Sequence, residues 1–215
     1  MIRVRAWGAA LACVVAMCAA GQAEAGPVSD QLKDAVDRVV KVLEDPALKG
    51  PDRKVERQAA VTKIAQEIFD FPEVARRSLA RHWQPLTDKQ REEFTALFAD
   101  LLERSYVSKI ELYSGEKITY ANERVEDDNA TVATRIVTKS GAEVPIDYRM
   151  LKKGTRWLVY DVNIEGVSLV SNYRTQFNKI IQTSSFNDLI LKLKTKQDEL
   201  GTEPSKTTKP APAKR

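Results

Sequence analysis

The stretch that decides the fold runs from residue 117 to residue 165: KITYANERVEDDNATVATRIVTKSGAEVPIDYRMLKKGTRWLVYDVNIE. It contains four segments rich in Val, Ile, Thr and Tyr, and these are residues 117–126, 130–139, 142–151 and 156–165. Between them lie Asp127-Asp128-Asn129, Ser140-Gly141 and Lys153-Gly154, which are typical turn residues. Connections this short allow only antiparallel pairing, so the stretch predicts a four-stranded antiparallel meander.

The third segment indicates that only one face of this sheet is covered. On one side of the predicted strand lie the apolar residues Val144, Ile146, Tyr148 and Met150. The intervening positions include Asp147 and Arg149, which point to the opposite side because successive side chains alternate along a strand. A strand of this kind has one face against the core and the other in water.

Helical periodicity lies on both sides of the predicted sheet. Before it, the apolar spacing predicts helices over 29–43, 52–69 and 72–80, followed by a long apolar stripe from Phe94 to Tyr113. Thr87 and Gln90 form a capping box at the start of that stripe. Two more helices follow Gly166, so we expect an α+β domain with helices packed on one face of an antiparallel sheet.

The two ends of the chain differ in composition from this body. Residues 1–25 carry Arg3 and Arg5, an apolar run and an A-x-A sequence, which predicts a secretory signal peptide cleaved after Ala25. Residues 201–215 are polar, basic and contain proline, which predicts a disordered tail. Between them we expect a single domain over residues 26–200 in an exported, periplasmic protein.

Charge and composition exclude several functional classes. The signal and the tail hold six of the 34 basic and two of the 30 acidic residues, so residues 26–200 are neutral overall. Nucleic-acid binders normally carry a basic patch on the folded domain, and we therefore expect no nucleic-acid partner. Both cysteines fall in the signal and His82 is the single histidine, so we predict no metal site, cofactor or catalytic residue.

Two other hypotheses remain open from the residues alone. The first is a small enzyme for a hydrophobic substrate, with Asp147 or Asp161 as a base. The second is an exported adaptor with a filled core that binds only proteins. Periodicity does not distinguish these from a ligand carrier, because the lining of a cavity and the packing behind it use the same residue types.

Several ordered motifs carry a resemblance to a known family. They are Leu79-Ala80-Arg81-His82-Trp83, the run from Leu86 to Phe94, Val144 to Met150, Trp157 to Val162, and Ile164 to Val170 followed by Tyr173-Arg174. Together they make the chain similar to the MlaC family, also called the toluene-tolerance family of exported lipid carriers. One departure is Ala80, where the family often has glycine.

The resemblance implies a periplasmic phospholipid carrier that maintains the lipid asymmetry of the outer membrane. Its implied partners are a phospholipid, an outer-membrane lipoprotein complex, and an inner-membrane ABC transporter with a substrate-presenting subunit. The acyl chains would enter an apolar pocket enclosed between sheet and helices. A related branch of the family is associated with hopanoid lipids, and the sequence does not separate the two branches.

We predict the pocket residues from strand alternation and from the helical stripes. They are Tyr106, Ile110, Val132, Ile136, Val144, Ile146, Tyr148, Met150, Val162, Ile164, Val167, Tyr173 and Phe177. The prediction assumes that the sheet face, the Phe94–Tyr113 stripe and the last two helices all face the same space.

Overall fold

The structure is a computed structural model that describes residues 26–202, with side chains up to residue 199. The predicted signal peptide lies outside the described residues, as does the predicted tail beyond Thr202. The last helix extends to Thr202, so the helical body ends two residues later than the predicted boundary at residue 200.

Six α-helices form most of the structure, and their positions follow the predicted periodicity. They are α1 (Pro27–Glu44), α2 (Lys54–Ile68), α3 (Phe71–Leu79), α4 (Asp88–Ile110), α5 (Leu169–Thr183) and α6 (Phe186–Thr202). The predicted capping box is confirmed, since Thr87 accepts from the Gln90 backbone while the Gln90 side chain accepts from the Thr87 backbone. Because α4 ends at Ile110, the predicted stripe is one turn shorter than expected, and Leu112 lies exposed beyond it.

The strands form one antiparallel sheet in chain order, which confirms the α+β meander. They are β1 (Lys117–Glu126), β2 (Asn129–Val137), β3 (Glu143–Lys153), β4 (Arg156–Ile164) and β5 (Val167–Ser168). The sheet has five strands and not the predicted four. The fifth strand has only two residues and was missed because so short a segment, directly after a glycine turn, shows no alternation.

Two register irregularities interrupt the alternation within β1 and β4. In β1 the pairing with β2 shifts between Tyr120 and Asn122, and in β4 an extra residue, Tyr160, lies between the partners of Arg149 and Met150. A bulge of this kind adds one unpaired residue and reverses the side to which later side chains point.

The interior is divided into two hydrophobic clusters. The helical core joins α3, α4, α5 and α6, and its buried members are Val74, Ala75, Leu79, Phe94, Phe98, Leu102, Val170, Phe177, Leu189, Ile190 and Leu193. The sheet core joins α1 and α2 to the sheet, and its buried members are Val28, Leu32, Ala35, Ile64, Ile68, Ala130, Val132, Met150 and Val159. The helices that cover the sheet face are therefore α1 and α2.

Polar contacts attach the first part of α1 to the sheet. The Ser29 backbone N–H donates to the Glu123 carboxylate at 2.7 Å, which places a negative charge at the positive end of the helix dipole. The Gln31 side chain donates to the Trp157 carbonyl and accepts from the Trp157 backbone N–H at 2.9 Å. A Cβ at Gly26 would lie 2.2 Å from the Glu123 carboxylate, so this approach requires glycine.

Candidate apolar binding site

The sheet presents one continuous apolar face toward α1 and α2, which we call the inner sheet face. Residues directly opposite each other in an antiparallel ladder lie on the same side of the sheet. Val132 pairs with Tyr148 and Tyr148 with Val162, and Ile146 pairs with Ile164. Eight predicted pocket residues of β2, β3 and β4 share this face by register: Val132, Ile136, Val144, Ile146, Tyr148, Met150, Val162 and Ile164.

Coverage of the inner sheet face varies from residue to residue. Val132 and Met150 are fully buried under α1 and α2, and Ile146 is buried as well. Tyr148 and Val162 are half-buried and pack against the sheet core. The face therefore combines buried positions with half-buried ones, and the latter include Ile136, Val144 and Ile164.

Two tyrosines show how dry this face is. Burial raises the pKa of the Tyr148 phenol to about 12, and it also raises the pKa of Tyr120. The Tyr120 hydroxyl is buried without a hydrogen-bond partner among the described residues. A buried hydroxyl without a partner carries a desolvation cost, so this part of the face is poorly accessible to water.

The remaining predicted residues do not lie on the well-covered part of this face. Phe177 is buried in the helical core, with Tyr173 and Tyr106 packed against the same cluster. The ring centroid of Phe98 lies 4.9 Å from that of Tyr173 and 5.0 Å from that of Phe177. The structure therefore contradicts the assumption of one shared space: α4 and the last two helices pack chiefly on one another, because their aromatic side chains complete a core of their own.

Ile110 and Val167 are the two most exposed of the predicted residues. Ile110 is the last residue of α4 and is 38% exposed. Val167 pairs with Ile164 at the end of β4, and is 55% exposed because it lies in the short fifth strand at the sheet edge. Neither belongs to the buried core, and of the two only Val167 is joined to the inner sheet face by strand pairing.

Sequence reasoning missed several residues that belong to the inner sheet face. Ile118 pairs with Ile136 and Tyr120 pairs with Thr134, so both face α1. Val159 pairs with Met150 and is fully buried. The two bulges broke the period-2 pattern at these points. The half-buried valines Val36 and Val39 of α1 also pack against the sheet core, and their helical spacing was a signal that could have placed them.

The carboxylates considered as catalytic bases have other surroundings. Asp161 is 3% exposed and accepts from the Ser168 hydroxyl at 2.7 Å and from the Val170 backbone N–H at 3.0 Å. Its third partner is the Arg149 guanidinium at 3.3 Å. These bonds attach the start of α5 to β4. Asp147 lies on the opposite side of the sheet from Ile146 and Tyr148.

Two further features of residues 26–202 bear on the class of protein. In this range no three His, Cys, Asp or Glu side chains come together in a way that could hold a metal ion. No helix within it has the length and apolar character needed to cross a membrane. His82 contacts Asn178 at 3.0 Å on the surface of α5.

Fold and site define a class of α+β proteins in which helices cover part of an apolar face of an antiparallel meander. A family model described as "MlaC protein" matches residues 33–195, which is most of the chain. The chain belongs to the MlaC family, and the resemblance seen in the sequence motifs is confirmed.

Two individual relatives support the same family assignment. The chain is 28% identical over 120 residues to the intermembrane phospholipid transport system binding protein MlaC of Haemophilus influenzae. It is 24% identical over 132 residues to the toluene tolerance protein ttg2D of Pseudomonas putida. The matched segments span 54% and 60% of this chain, and 56% and 61% of those two relatives.

A solved structure shares the fold. It is the phospholipid-binding protein of Ralstonia solanacearum in complex with a phospholipid, which superposes with a TM-score of 0.73 at 25% identity. The match covers 82% of this chain and all of that one.

Proposed function

We propose that this protein is a periplasmic phospholipid carrier. It receives lipid from one membrane complex and delivers it to another, between an outer-membrane lipoprotein complex and an inner-membrane ABC transporter with its substrate-presenting subunit. This traffic maintains the lipid asymmetry of the outer membrane. Export through the signal peptide over residues 1–25 is part of the proposal.

The observation that carries the proposal is the inner sheet face. Ile136, Val144, Tyr148, Val162 and Ile164 lie on this face by register, and each keeps a minority of its surface exposed to solvent. Exposed apolar surface is unfavourable in water, so a ligand that covers it is favoured. The fold is shared with a protein solved with a phospholipid, and acyl chains are well suited to cover such a face.

The energetics of lipid transfer set what the face must provide. Each buried CH₂ contributes roughly 0.8 kcal/mol, so a sixteen-carbon chain is held in its membrane by about 10 kcal/mol. A carrier must offer a comparably dry surface, and no covalent step is required.

The surroundings of Asp161 favour a carrier over an enzyme. A general base must have a lone pair available for the substrate proton. The Asp161 carboxylate accepts from Ser168, Val170 and Arg149, which fixes it as a structural connection between β4 and α5. We therefore propose a binding function without catalysis.

The decisive experiment is native mass spectrometry of the protein purified from its own host. We expect a population heavier than the polypeptide by the mass of phospholipid, and organic extraction should release that lipid in roughly stoichiometric amount. A bare polypeptide, even after incubation with phospholipid vesicles, contradicts the carrier function. Release of a hopanoid in place of phospholipid would assign the chain to the other branch of the family.

A further inference from the structure

A second concave site lies away from the sheet, on the surface of the helical core. It is a depression of about 370 Å³, which we call the arginine pocket. Its lining consists of Arg76, Arg77, Ala80, Trp83, Gln84 and Arg174. These residues come from α3, the segment after it and α5, and no strand contributes to the list.

The pocket carries excess positive charge. The Glu73 carboxylate accepts from Arg76 Nε at 2.7 Å and from Arg77 Nε at 2.6 Å. These two arginines hold the pKa of Glu73 down at about 2, so Glu73 is ionised at neutral pH. Glu73 pairs with Arg76 and Arg77 and not with Arg174, and the Asp70 carboxylate also acts on Arg76 electrostatically. The three arginines therefore outnumber the carboxylates beside them, and the wall keeps an excess of positive charge.

The arginines are fixed in position while part of their donor capacity stays available. The Arg77 guanidinium carbon lies 3.9 Å from the centroid of the Tyr160 ring. Arg174 donates through Nε to the Arg77 carbonyl at 3.0 Å. Within the described part of the chain, no hydrogen bond uses either Nη group of Arg174. An arginine held at Nε presents its two terminal nitrogens as a rigid fork.

The opposite wall is held in place as well. Arg91 donates to the Gln84 carbonyl at 3.0 Å and to the Trp83 carbonyl at 3.4 Å. Ala80 has φ 48° and ψ −117°, a conformation that glycine adopts far more readily than alanine. Backbone strain of this kind persists only where the surroundings enforce it, and it is frequent at ligand sites.

We propose that the arginine pocket binds a phosphate ester, with the phosphate on Arg174 and Arg77 and the carbon portion against Trp83. Guanidinium forks match the geometry of phosphate oxygens and form charge-assisted hydrogen bonds with them. The excess charge suits a phosphate mono- or dianion. The ester is either the head group of a membrane phospholipid or a small soluble ester. The proposal rests on the helical core and does not depend on lipid binding at the inner sheet face.

The test compares Arg174→Gln with a matched control. Arg174 is exposed on α5, and glutamine keeps one donor for the Arg77 carbonyl. Lys179→Gln removes the same charge from an exposed position of the same helix. It lies five residues on, which places it about 140° around the helix from Arg174. Circular dichroism and bound-lipid content should be equal for both variants and the wild type.

Two measurements separate the sources of the phosphate. Calorimetric titration with glycerol phosphate reports a soluble ester, and co-flotation with phosphatidylglycerol vesicles at low ionic strength reports a membrane head group. We expect the wild type and Lys179→Gln to bind, and Arg174→Gln to bind at least tenfold more weakly. Binding of vesicles alone supports the proposal with a membrane lipid as the source.

Two results would overturn the proposal. One is a wild type that binds neither glycerol phosphate nor the vesicles, which would favour an acidic protein surface as the occupant. The other is Arg174→Gln binding as strongly as the wild type. If Arg174→Gln does not fold, Arg174→Lys replaces it, because lysine keeps the charge and removes the guanidinium fork. Binding of Arg174→Lys at wild-type strength would overturn the proposal in the same way. Both results are independent of lipid content, so they do not bear on the carrier function.

Discussion

The helical core and the sheet core differ in the side chains that fill them. In the helical core Phe94 and Phe98 are 0% and 1% exposed, and the rings of Phe94, Phe98 and Phe177 lie 5.0–5.6 Å apart at tilted or edge-on angles. On the inner sheet face the fully buried residues Val132 and Met150 give way to half-buried neighbours. Packed aromatic edges add stability beyond the area they bury.

The difference indicates a division of tasks. A core filled by aromatic side chains has a fixed shape and supplies stability. A sheet face whose cover is incomplete can take up an apolar ligand without first expelling protein. Each of the following substitutions changes either the helical core or the inner sheet face and should leave the other region nearly unaffected.

The largest effect is expected from Phe98→Ala in the helical core. Removing a fully buried phenyl ring leaves a cavity, and we expect a loss of about 3–5 kcal/mol in the free energy of unfolding, measured by urea denaturation. Val144→Ala on the inner sheet face is the counterpart and should cost about 1 kcal/mol or less, since Val144 is half-buried. Equal losses would show that the two regions are equally well packed.

The second effect concerns folding stability at acidic pH and arises from Glu73 of α3, one of the helices of the helical core. Hydrogen bonds from Arg76 and Arg77 lower the folded-state pKa of Glu73 from 4.5 to about 2. A lowered pKa stabilises the fold fully above about pH 4.5, and this stabilisation is lost as the pH falls toward 2. The contribution is on the order of 3 kcal/mol at most.

The measurement is the difference in unfolding free energy between the wild type and Glu73→Gln across this pH range. Taking this difference removes the pH dependence that the other carboxylates contribute to the stability of both proteins. We expect the wild type to be the more stable at neutral pH and the gap to close between pH 4.5 and 2. A gap that stays constant with pH would mean that Glu73 is not stabilised in its ionised form.

The third effect is mainly on the amount of lipid that the protein binds. Val162→Trp and Val144→Phe add bulk to the inner sheet face, and we expect less bound lipid at a cost of roughly 1–3 kcal/mol in stability. Asp147→Ala, on the opposite side of the sheet, is the control and should keep the wild-type lipid content. Lipid is quantified after extraction from variants shown to be folded by circular dichroism. Loss of lipid in Asp147→Ala alone would mean that the lipid lies on the other face.

The smallest expected effect is a gain in stability. Ala80 has a positive φ that glycine adopts without strain, so Ala80→Gly should raise the free energy of unfolding by about 0.5–1 kcal/mol. Part of the relief is offset by the greater entropy of glycine in the unfolded chain. A thermal melt measures the change. A decrease in the midpoint would indicate that neighbouring contacts favour the alanine methyl group over relief of strain.

The sequence predicted the helices and strands well, but it predicted less well which of them pack against each other. The Thr87–Gln90 capping box, the turns between strands and the alternation around Ile146 and Tyr148 are local signals, and the structure confirms each of them. The partner of each apolar stripe is a long-range property. The stripe containing Phe98 was expected to share one space with the sheet face and the last two helices. It packs on α5 and α6 but not on the sheet core, because periodicity gives a direction around a helix and not the surface opposite.

The candidate site was predicted in part for the same reason. Alternation found eight residues of the inner sheet face but not Tyr120 or Val159, which lie beside bulges that reverse the pattern. The arginine pocket was not predicted at all. Arg77 and Arg174 are 97 residues apart in the sequence, and no local pattern brings them together.

The attachment of α1 has a consequence for local opening. Its hydrogen bonds to the sheet, between Ser29 and Glu123 and between Gln31 and Trp157, lie in the first turn and a half. Further along, Val36, Val39 and Val42 contact the sheet core by apolar packing. Arg38 also pairs with Glu67 of α2 at 2.7 Å, but an ion pair this exposed adds little stability. Amide protons exchange with solvent through local openings whose cost follows the contacts that must break. We expect deuterium uptake to be slowest near Leu32 and faster toward Glu44, so that α1 behaves as a flap hinged at its amino-terminal end.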